Sequence, residues 1–130
     1  EQLSKLIVNI DLYQQLNSIQ QQAISAIHLK QSQVMSLMQG DLIMGKRYIA
    51  ACHDLVSMKQ AQKIGCDAIV LSPVLATETH PEARALGWEQ FKNLAAQVEI
   101  PVFALGGMQA GDLMMAQEQG AYGIAGIRFL

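Results

Sequence analysis

Two adjacent glycines, Gly106 and Gly107, are the residues best placed to do chemistry, because they end a short apolar run at 101–105. A helix-like segment follows them, and a second apolar run spans 123–127. Glycine lets backbone N–H groups approach an anion closely, and a helix N-terminus favours negative charge. In parallel (β/α) barrels, the loops after the last two strands commonly bind phosphate. This spacing indicates a phosphate site if the rest of the chain is a βα array.

Alternating apolar runs and amphipathic segments predict such an array. We predict strands at 6–9, 24–29, 47–52, 67–71, 100–105 and 122–127, and helices at 11–22, 32–38, 55–64, 87–98 and 109–119. The strands are continuous apolar runs, which is typical of parallel strands buried on both faces. Asp54 is the predicted N-cap of the 55–64 helix and Gly65 its stop. The seven methionines are assigned to the core.

The number of units decides between two α/β architectures. Six strands are predicted, whereas a closed TIM barrel has eight. The fold class is therefore a (β/α) TIM barrel that is incomplete in this chain, with about six of eight βα units. An open six-stranded sheet is the alternative. Exposed sheet edges favour pairing with another chain or domain, and a homodimer is one form of it.

Composition narrows the function classes. The chain has 130 residues, 51% of them hydrophobic and 15% charged, and a formal net charge of −2. It suits a single domain, 1–130, with no basic surface for nucleic acid and no apolar run long enough to span a membrane. Cys52 and Cys66 lie in or beside apolar runs and are predicted to be reduced, buried thiols of a cytoplasmic protein. The chain begins at Glu1, so we expect it to be the C-terminal part of a longer protein.

Five short motifs lie at the predicted strand ends. They are Asn9, Ile-His-Leu-Lys-Gln at 27–31, Ala-Cys-His at 51–53, Leu-Ser-Pro-Val-Leu-Ala-Thr-Glu-Thr-His at 71–80 and Ala-Leu-Gly-Gly-Met at 104–108. In this order they resemble the motifs of the thiamine phosphate synthase (TenI-type) family of TIM barrels. The resemblance covers nearly the whole chain and corresponds to the third through eighth strands of that barrel.

Several of these strings are most similar to one branch of the family. They are 51–54, 71–74, 79–81, 86–88 and 104–107. That branch comprises bacterial fusion proteins in which a MutT-type Nudix hydrolase precedes a synthase-like barrel. The Nudix box is absent from this sequence, so the resemblance implies that such a hydrolase domain would lie upstream of Glu1.

The family joins a pyrimidine-methyl diphosphate to a thiazole phosphate, and Mg²⁺ neutralises the departing pyrophosphate. The resemblance implies a phosphate site formed by Thr77, Thr79, Gly106 and Gly107. Arg128 stands where the family has a small residue beside the phosphate, and its guanidinium is a candidate for bidentate phosphate binding. The resemblance places His80 as a phosphate ligand or acid–base group, and it places Asn9, His28, His53 and Ser72 in the ligand pocket. Loop or structural roles remain the alternatives for Thr77, Thr79, His80, His28 and His53, and a solvated chain end for Arg128.

This sequence departs from the family at the metal site. The family's two metal-binding aspartates correspond to Ile10 and Gln33, and the nearest acid is Asp11, one residue later. Hard oxygen ligands, usually carboxylates, are what Mg²⁺ requires. His80 replaces the loop lysine of the family. We therefore expect the cofactor to be Mg²⁺, bound at a site in which Asp11 is the only remaining acidic ligand.

Three functions follow from this pattern. The first is a domain that binds a phosphorylated thiamine-related small molecule, is degenerate for synthase chemistry and is fused to a Nudix hydrolase. The second is an active thiamine phosphate synthase. The third is another phosphate-binding barrel enzyme with His80 as acid–base group, or a structural scaffold.

Overall fold

The six apolar runs form the strands of one parallel sheet. A computed structural model describes residues 6–75 and 84–125. The strands are β1 (Leu6–Asn9), β2 (Ile24–Leu29), β3 (Arg47–Cys52), β4 (Ala68–Leu71), β5 (Val102–Leu105) and β6 (Gly123–Ala125). They lie side by side in chain order, and every neighbouring pair is parallel. This arrangement confirms the predicted α/β fold of the TIM-barrel type.

Helices connect the strands and lie where amphipathic segments were predicted. They are α1 (Ile10–Gln15), α2 (Ser18–Gln22), α3 (Gln31–Ser36), α4 (Leu55–Ile64), α5 (Gly87–Ala95) and α6 (Leu113–Glu118), with a 3₁₀ turn at Ala110–Asp112. Asp54 caps α4, and Gly65 ends it in the left-handed conformation, as predicted. None of the helices in the described part of the chain has the length and apolar character needed to cross a bilayer.

Two predicted helices are divided in the structure. The segment 11–22 forms α1 and α2, because Asn17 starts a new helix. The Asn17 side-chain oxygen accepts from the Gln20 backbone N–H at 2.8 Å, and the Gln20 side chain accepts from the Asn17 N–H at 3.0 Å. This reciprocal capping satisfies backbone donors that a continuous helix would have bonded internally. The segment 109–119 similarly divides into the 3₁₀ turn and α6.

The core lies between the sheet and the helices. Tyr48, Ala50 and Cys52 of β3 are buried in it, together with Met58 of α4 and Phe91 of α5. The alternate residues of the strands point to the other face of the sheet. There the side chains of the central strands are only half-buried. The predicted burial of both sheet faces is therefore incomplete within the described residues.

The assignment of all seven methionines to the core is wrong. Met58 and Met108 are buried, whereas Met35, Met38, Met44, Met114 and Met115 are exposed. The helices α3 and α6 have six residues each and bury a narrow stripe, Val34 and Ala116 respectively. Met35, Met114 and Met115 lie beside these buried positions and face solvent, whereas Met38 and Met44 lie in the connection between α3 and β3.

Candidate functional site

The polar residues of the predicted pocket lie at one end of the sheet. Asn9, His28 and Ser72 stand at or next to the carboxyl ends of β1, β2 and β4. His53 follows β3, and Gly106 follows β5. Because all strands are parallel, these ends share one edge, which is where sites form in (β/α) barrels. The fold therefore brings the described members of the predicted pocket to a common edge.

An amide pair occupies the part of this edge next to β1. The Asn9 Nδ2 donates to Gln33 Oε1 at 3.0 Å, and the Gln33 Nε2 donates back to Asn9 Oδ1 at 3.2 Å. The Gln33 Nε2 also lies 3.1 Å from Asp11 Oδ2. The shift of the acid from position 10 to 11 thus leaves a carboxylate in contact with Gln33. These three side chains form one hydrogen-bonded cluster, named here the amide cluster.

Two backbone donors complete the bonding of the amide oxygens. The Lys30 N–H donates to Gln33 Oε1 at 2.8 Å, and the Asp11 N–H donates to Asn9 Oδ1 at 3.0 Å. Each amide oxygen therefore accepts two hydrogen bonds, which uses both of its lone pairs. Only the exposed carboxylate of Asp11 retains free acceptor capacity in the amide cluster.

This donor set does not fit Mg²⁺. The ion prefers octahedral oxygen coordination and binds mainly through carboxylates and waters. The amide cluster offers one carboxylate and two amide oxygens that are already engaged. Across residues 6–75 and 84–125, no group of three or more histidine, cysteine or acidic side chains could hold a metal. The Mg²⁺ expectation therefore finds no matching ligand set in the described part of the chain.

His28 joins the amide cluster from the neighbouring strand. Asn9 and His28 are cross-strand partners, and the Asn9 Nδ2 lies 3.3 Å from His28 Nδ1. The Asn9 Nδ2 also lies 3.3 Å from the His28 carbonyl oxygen, so the amide hydrogen that does not go to Gln33 is shared between this oxygen and Nδ1. Because an amide nitrogen can only donate, its contact with Nδ1 favours the neutral tautomer with the proton on Nε2. Burial lowers the pKa of His28, and the positive charge of Lys30 lowers it further. Both effects favour the neutral form of the His28 ring over the charged form.

His53 and Ser72 meet across β3 and β4. The His53 Nδ1 lies 2.9 Å from the backbone carbonyl oxygen of Ser72 and 3.4 Å from its hydroxyl. The backbone N–H of His53 donates to Gln31 Oε1 at 2.6 Å. The single proton of the buried Ser57 hydroxyl has two acceptors at 3.0 Å, the same Gln31 oxygen and the Asp54 carbonyl oxygen. Gln31 therefore joins α3 to the turn between β3 and α4.

Both residues of the glycine pair have a left-handed backbone conformation. Gly106 and Gly107 have φ values of 108° and 69°, a region that glycine adopts readily. A Cβ on Gly106 would lie 2.7 Å from the Cα of Pro73. The N–H groups of Val74 and Leu75 donate to the carbonyls of Leu105 and Gly106 at 2.9 and 3.0 Å. The loop after β4 is thereby fastened to the loop after β5.

Four predicted site residues lie outside the described residues, namely Thr77, Thr79, His80 and Arg128. Their assignments remain predictions. Cys52, next to His53, is fully buried in the core, and burial raises the pKa of its thiol to about 11. A thiol in that environment is a poor nucleophile.

Sequence reasoning missed Gln31 as a member of the site. Its contacts join residues more than twenty positions apart, and they depend on how β2 and β3 align. The available signal was the position of Gln31 as the last residue of the strand-end motif 27–31. A glutamine there has the reach to bond the neighbouring loop, although nothing local identifies its partner.

Parallel βα units with polar groups gathered at the carboxyl ends of the strands define a protein of the (β/α)-barrel class. Residues 4–130 match the TMP-TENI family model, described as thiamine monophosphate synthase, and the chain belongs to that family.

Similar proteins carry related names. A protein of Aquifex aeolicus, provisionally named thiamine-phosphate synthase 2, is 46% identical over 77 residues, which cover 59% of this chain and 41% of that one. The thiamine-phosphate synthase of Fusobacterium nucleatum is 29% identical over 109 residues, covering 82% of this chain and 53% of that one. The chain thus spans about half the length of these relatives.

A solved structure supports the fold. The thiamine phosphate pyrophosphorylase from Pyrococcus furiosus superposes with a TM-score of 0.57 and 17% identity, over 96% of this chain and 74% of that chain. At this identity the likeness demonstrates a shared fold.

Proposed function

We propose that this chain is a thiamine phosphate synthase-like domain that binds a phosphorylated thiamine-related small molecule and is degenerate for the synthase reaction. The observation that carries the proposal is the amide cluster: Gln33 stands where the family has a metal-binding aspartate, and it is bonded to Asn9 and Asp11. A site with one free carboxylate is a poor place to neutralise a departing pyrophosphate.

The glycine pair supports binding of a phosphate group. Gly106 is buried and Gly107 is exposed, and both have positive φ, the conformation in which glycine-rich loops present backbone N–H groups to anions. The family relationship adds Thr77 and Thr79 as further phosphate ligands of this proposal. Arg128 and His80, which replace a small residue and a lysine of the family, are included in it as a bidentate phosphate ligand and an acid–base group.

Calorimetry and amide NMR test the proposal directly. Thiamine phosphate and thiazole phosphate are titrated into the ¹⁵N-labelled protein, and we expect binding with shifts of the Gly106 and Gly107 amide signals. Product formation from the pyrimidine diphosphate and the thiazole phosphate is measured in parallel, and we expect none. An absence of both heat and shifts would contradict the binding role.

A single substitution examines the degenerate metal site. In Gln33→Asp, a second carboxylate stands beside Asp11, so we expect measurable Mg²⁺ affinity where the unaltered protein has little. Gln33→Asn, which shortens the side chain without adding charge, is the matched control. Equal Mg²⁺ binding by all three proteins would show that Gln33 is not what limits the site.

An active synthase is the second candidate, and the contact of Asp11 with Gln33 favours it, because an acid remains in the cluster. It predicts Mg²⁺-dependent product formation that Asp11→Asn abolishes. The same assay therefore decides between the two candidates. If turnover is lost when His80 is replaced, and not when Asp11 is replaced, the result would favour a different phosphate-binding enzyme.

The wider protein is also part of the proposal. The similarity of segments such as 51–54 and 86–88 to the fusion branch supports a Nudix hydrolase domain upstream of Glu1. Sequencing the gene upstream of this segment tests it, and a reading frame without a Nudix box would refute it. Sedimentation of the same full-length protein tests the expected homodimer.

A further inference from the structure

His53 is the one exposed histidine at the carboxyl edge of the described sheet, and its ring is fixed at one nitrogen. A carbonyl oxygen only accepts, so the 2.9 Å contact between His53 Nδ1 and the Ser72 carbonyl requires the proton to be on Nδ1. The neutral ring then carries a bare lone pair on Nε2. Within the described residues, the structure gives Nε2 no hydrogen-bond partner.

The backbone of His53 is fixed as well. Its N–H donates to Gln31 Oε1, and that oxygen lies 3.0 Å from the hydroxyl of Ser57, a fully buried residue whose proton is shared with the Asp54 carbonyl oxygen. Asp54, the next residue, accepts from the Ser57 N–H at 2.8 Å as the cap of α4. Main chain and ring are therefore oriented before any ligand arrives, which is the condition for a specific polar contact.

The position of His53 relative to the glycine pair sets the length of a ligand. β3, β4 and β5 are consecutive in the sheet, so His53 and Gly106 are two strands apart. With neighbouring strands spaced by about 4.8 Å, this is roughly 10 Å along the sheet edge. A phosphate at the glycines and a heterocycle reaching towards His53 would span that distance.

We infer that His53 is a ligand contact whose bare Nε2 accepts a hydrogen bond from an N–H or O–H group on the heterocycle of a phosphorylated ligand, with Gln31 as its positioning residue. The inference rests on the proposed function and specifies the ligand class: a phosphorylated heterocycle that carries a hydrogen-bond donor far from its phosphate. Thiamine phosphate, with the amino group of its pyrimidine ring, belongs to this class. Thiazole phosphate, whose ring carries no such donor, does not.

The first test needs no ligand. Long-range ¹H–¹⁵N NMR of the imidazoles distinguishes the two neutral tautomers, and His53→Gln identifies the His53 signals by their absence. We expect His53 to be protonated on Nδ1 and His28 on Nε2. Protonation of His53 on Nε2 would overturn the inference.

The second test compares two substitutions of matched geometry. In His53→Asn, the amide nitrogen can replace Nδ1 and donate to the Ser72 carbonyl, but nothing replaces Nε2. In His53→Gln, the longer amide can place an acceptor near the Nε2 position. We expect His53→Asn to weaken thiamine phosphate binding about 3- to 10-fold and to leave thiazole phosphate and inorganic phosphate unchanged. His53→Gln should bind thiamine phosphate nearly as well as the unaltered protein.

Gln31→Met provides the test of the positioning role. It removes the acceptor that holds the His53 N–H, and we expect the same selective loss of thiamine phosphate over thiazole phosphate. A general weakening of both ligands, by this substitution or by His53→Asn, would overturn the inference in favour of a structural role. Failure of the unaltered protein to bind any of the three probes would overturn the proposed function itself, and the ligand contact with it.

Discussion

Gly106 has no room for a side chain, because the backbone of Pro73 lies against its Cα. A Cβ there would come within 2.7 Å of the Pro73 Cα and 3.0 Å of the Val74 nitrogen, and both are backbone atoms that cannot move alone. The positive φ adds strain of about 1–2 kcal/mol for any other residue. Gly106 therefore allows the loops after β4 and β5 to pack closely, in addition to any role in binding phosphate.

We predict that Gly106→Ala destabilises the protein by about 2–5 kcal/mol, the sum of overpacking and left-handed strain. Gly120→Ala is the control, since Gly120 has a similar φ of 91° and no atom within 4 Å of a built Cβ. It should lose only about 1–2 kcal/mol. Urea unfolding of the three proteins measures both changes. Equal losses would mean that the contact with Pro73 is relieved without strain.

The depressed pKa of His28 gives the stability a pH dependence. The folded state binds a proton at His28 less readily than the unfolded state, so its contribution is complete above about pH 6.5 and is lost as the pH falls through the folded pKa. We predict that the unaltered protein loses more stability than His28→Asn between about pH 7.5 and about pH 5. The asparagine oxygen can still accept from Asn9. Unfolding curves of both proteins at both pH values measure this, and an equal loss of stability in the two proteins would refute the prediction.

Side chains differ in how far the sequence reveals their roles. The positions of Asn9, His28, His53 and Ser72 followed from strand ends, which are local features of apolar runs. The partners of Gln31 and Gln33 did not, because they depend on how segments more than twenty residues apart align. The departure at Gln33 from the family motif was visible, whereas its bonding to Asn9 and Asp11 was not.

Both ends of α4 were predicted correctly, whereas α3 and α5 end two or three residues before the predicted positions 38 and 98. Asp54 caps α4 and Gly65 ends it as expected, because capping is decided by residues within one turn. The break between α1 and α2 was missed, although Asn17 and Gln20 form a readable capping pair. Apolar residues at helical spacing continue across Asn17. Periodicity alone therefore predicted one helix where capping produced two.

Asp54, the N-cap of α4, directly follows His53 in the turn after β3. We expect the loss of this cap to lower the free energy of unfolding. The backbone N–H of Ser57 donates to Asp54, and this bond is the main cause that lowers the pKa of the carboxyl group. We predict that Asp54→Ala costs about 1 kcal/mol in thermal or urea unfolding. Asp54→Asn, which keeps an acceptor, should cost less. If the two substitutions are equally destabilising, charge rather than capping is responsible.

The sheet as a whole was predictable in type and order. Six apolar runs separated by helical segments permitted few topologies other than parallel βαβ units, and the strands lie in chain order. The burial of the second sheet face was overestimated, because it was inferred from the continuous apolar runs of the strands alone. In the described residues that face is half-buried at Ile49, Val70 and Phe103.

The two thiols report on whether this sheet unfolds as one unit. Cys52 ends β3 and Cys66 precedes β4; both are buried, and burial raises their thiol pKa values to about 11 and about 12. A buried thiol of high pKa reacts with an alkylating reagent only after the structure opens. Since the thiols lie at opposite ends of neighbouring strands, one opening event must expose both if the fold is cooperative.

We therefore predict that both cysteines react with iodoacetamide at the same rate, slower by a factor of more than about 10³ than in the unfolded chain. Mass spectrometry of the two cysteine peptides over time measures this, with labelling in urea above the unfolding midpoint as the reference. Gly106→Ala should accelerate both rates by the same factor, because it lowers the stability that governs opening. Faster labelling of Cys66 alone would instead reveal local opening at the amino end of β4, and the sheet would then consist of separable parts.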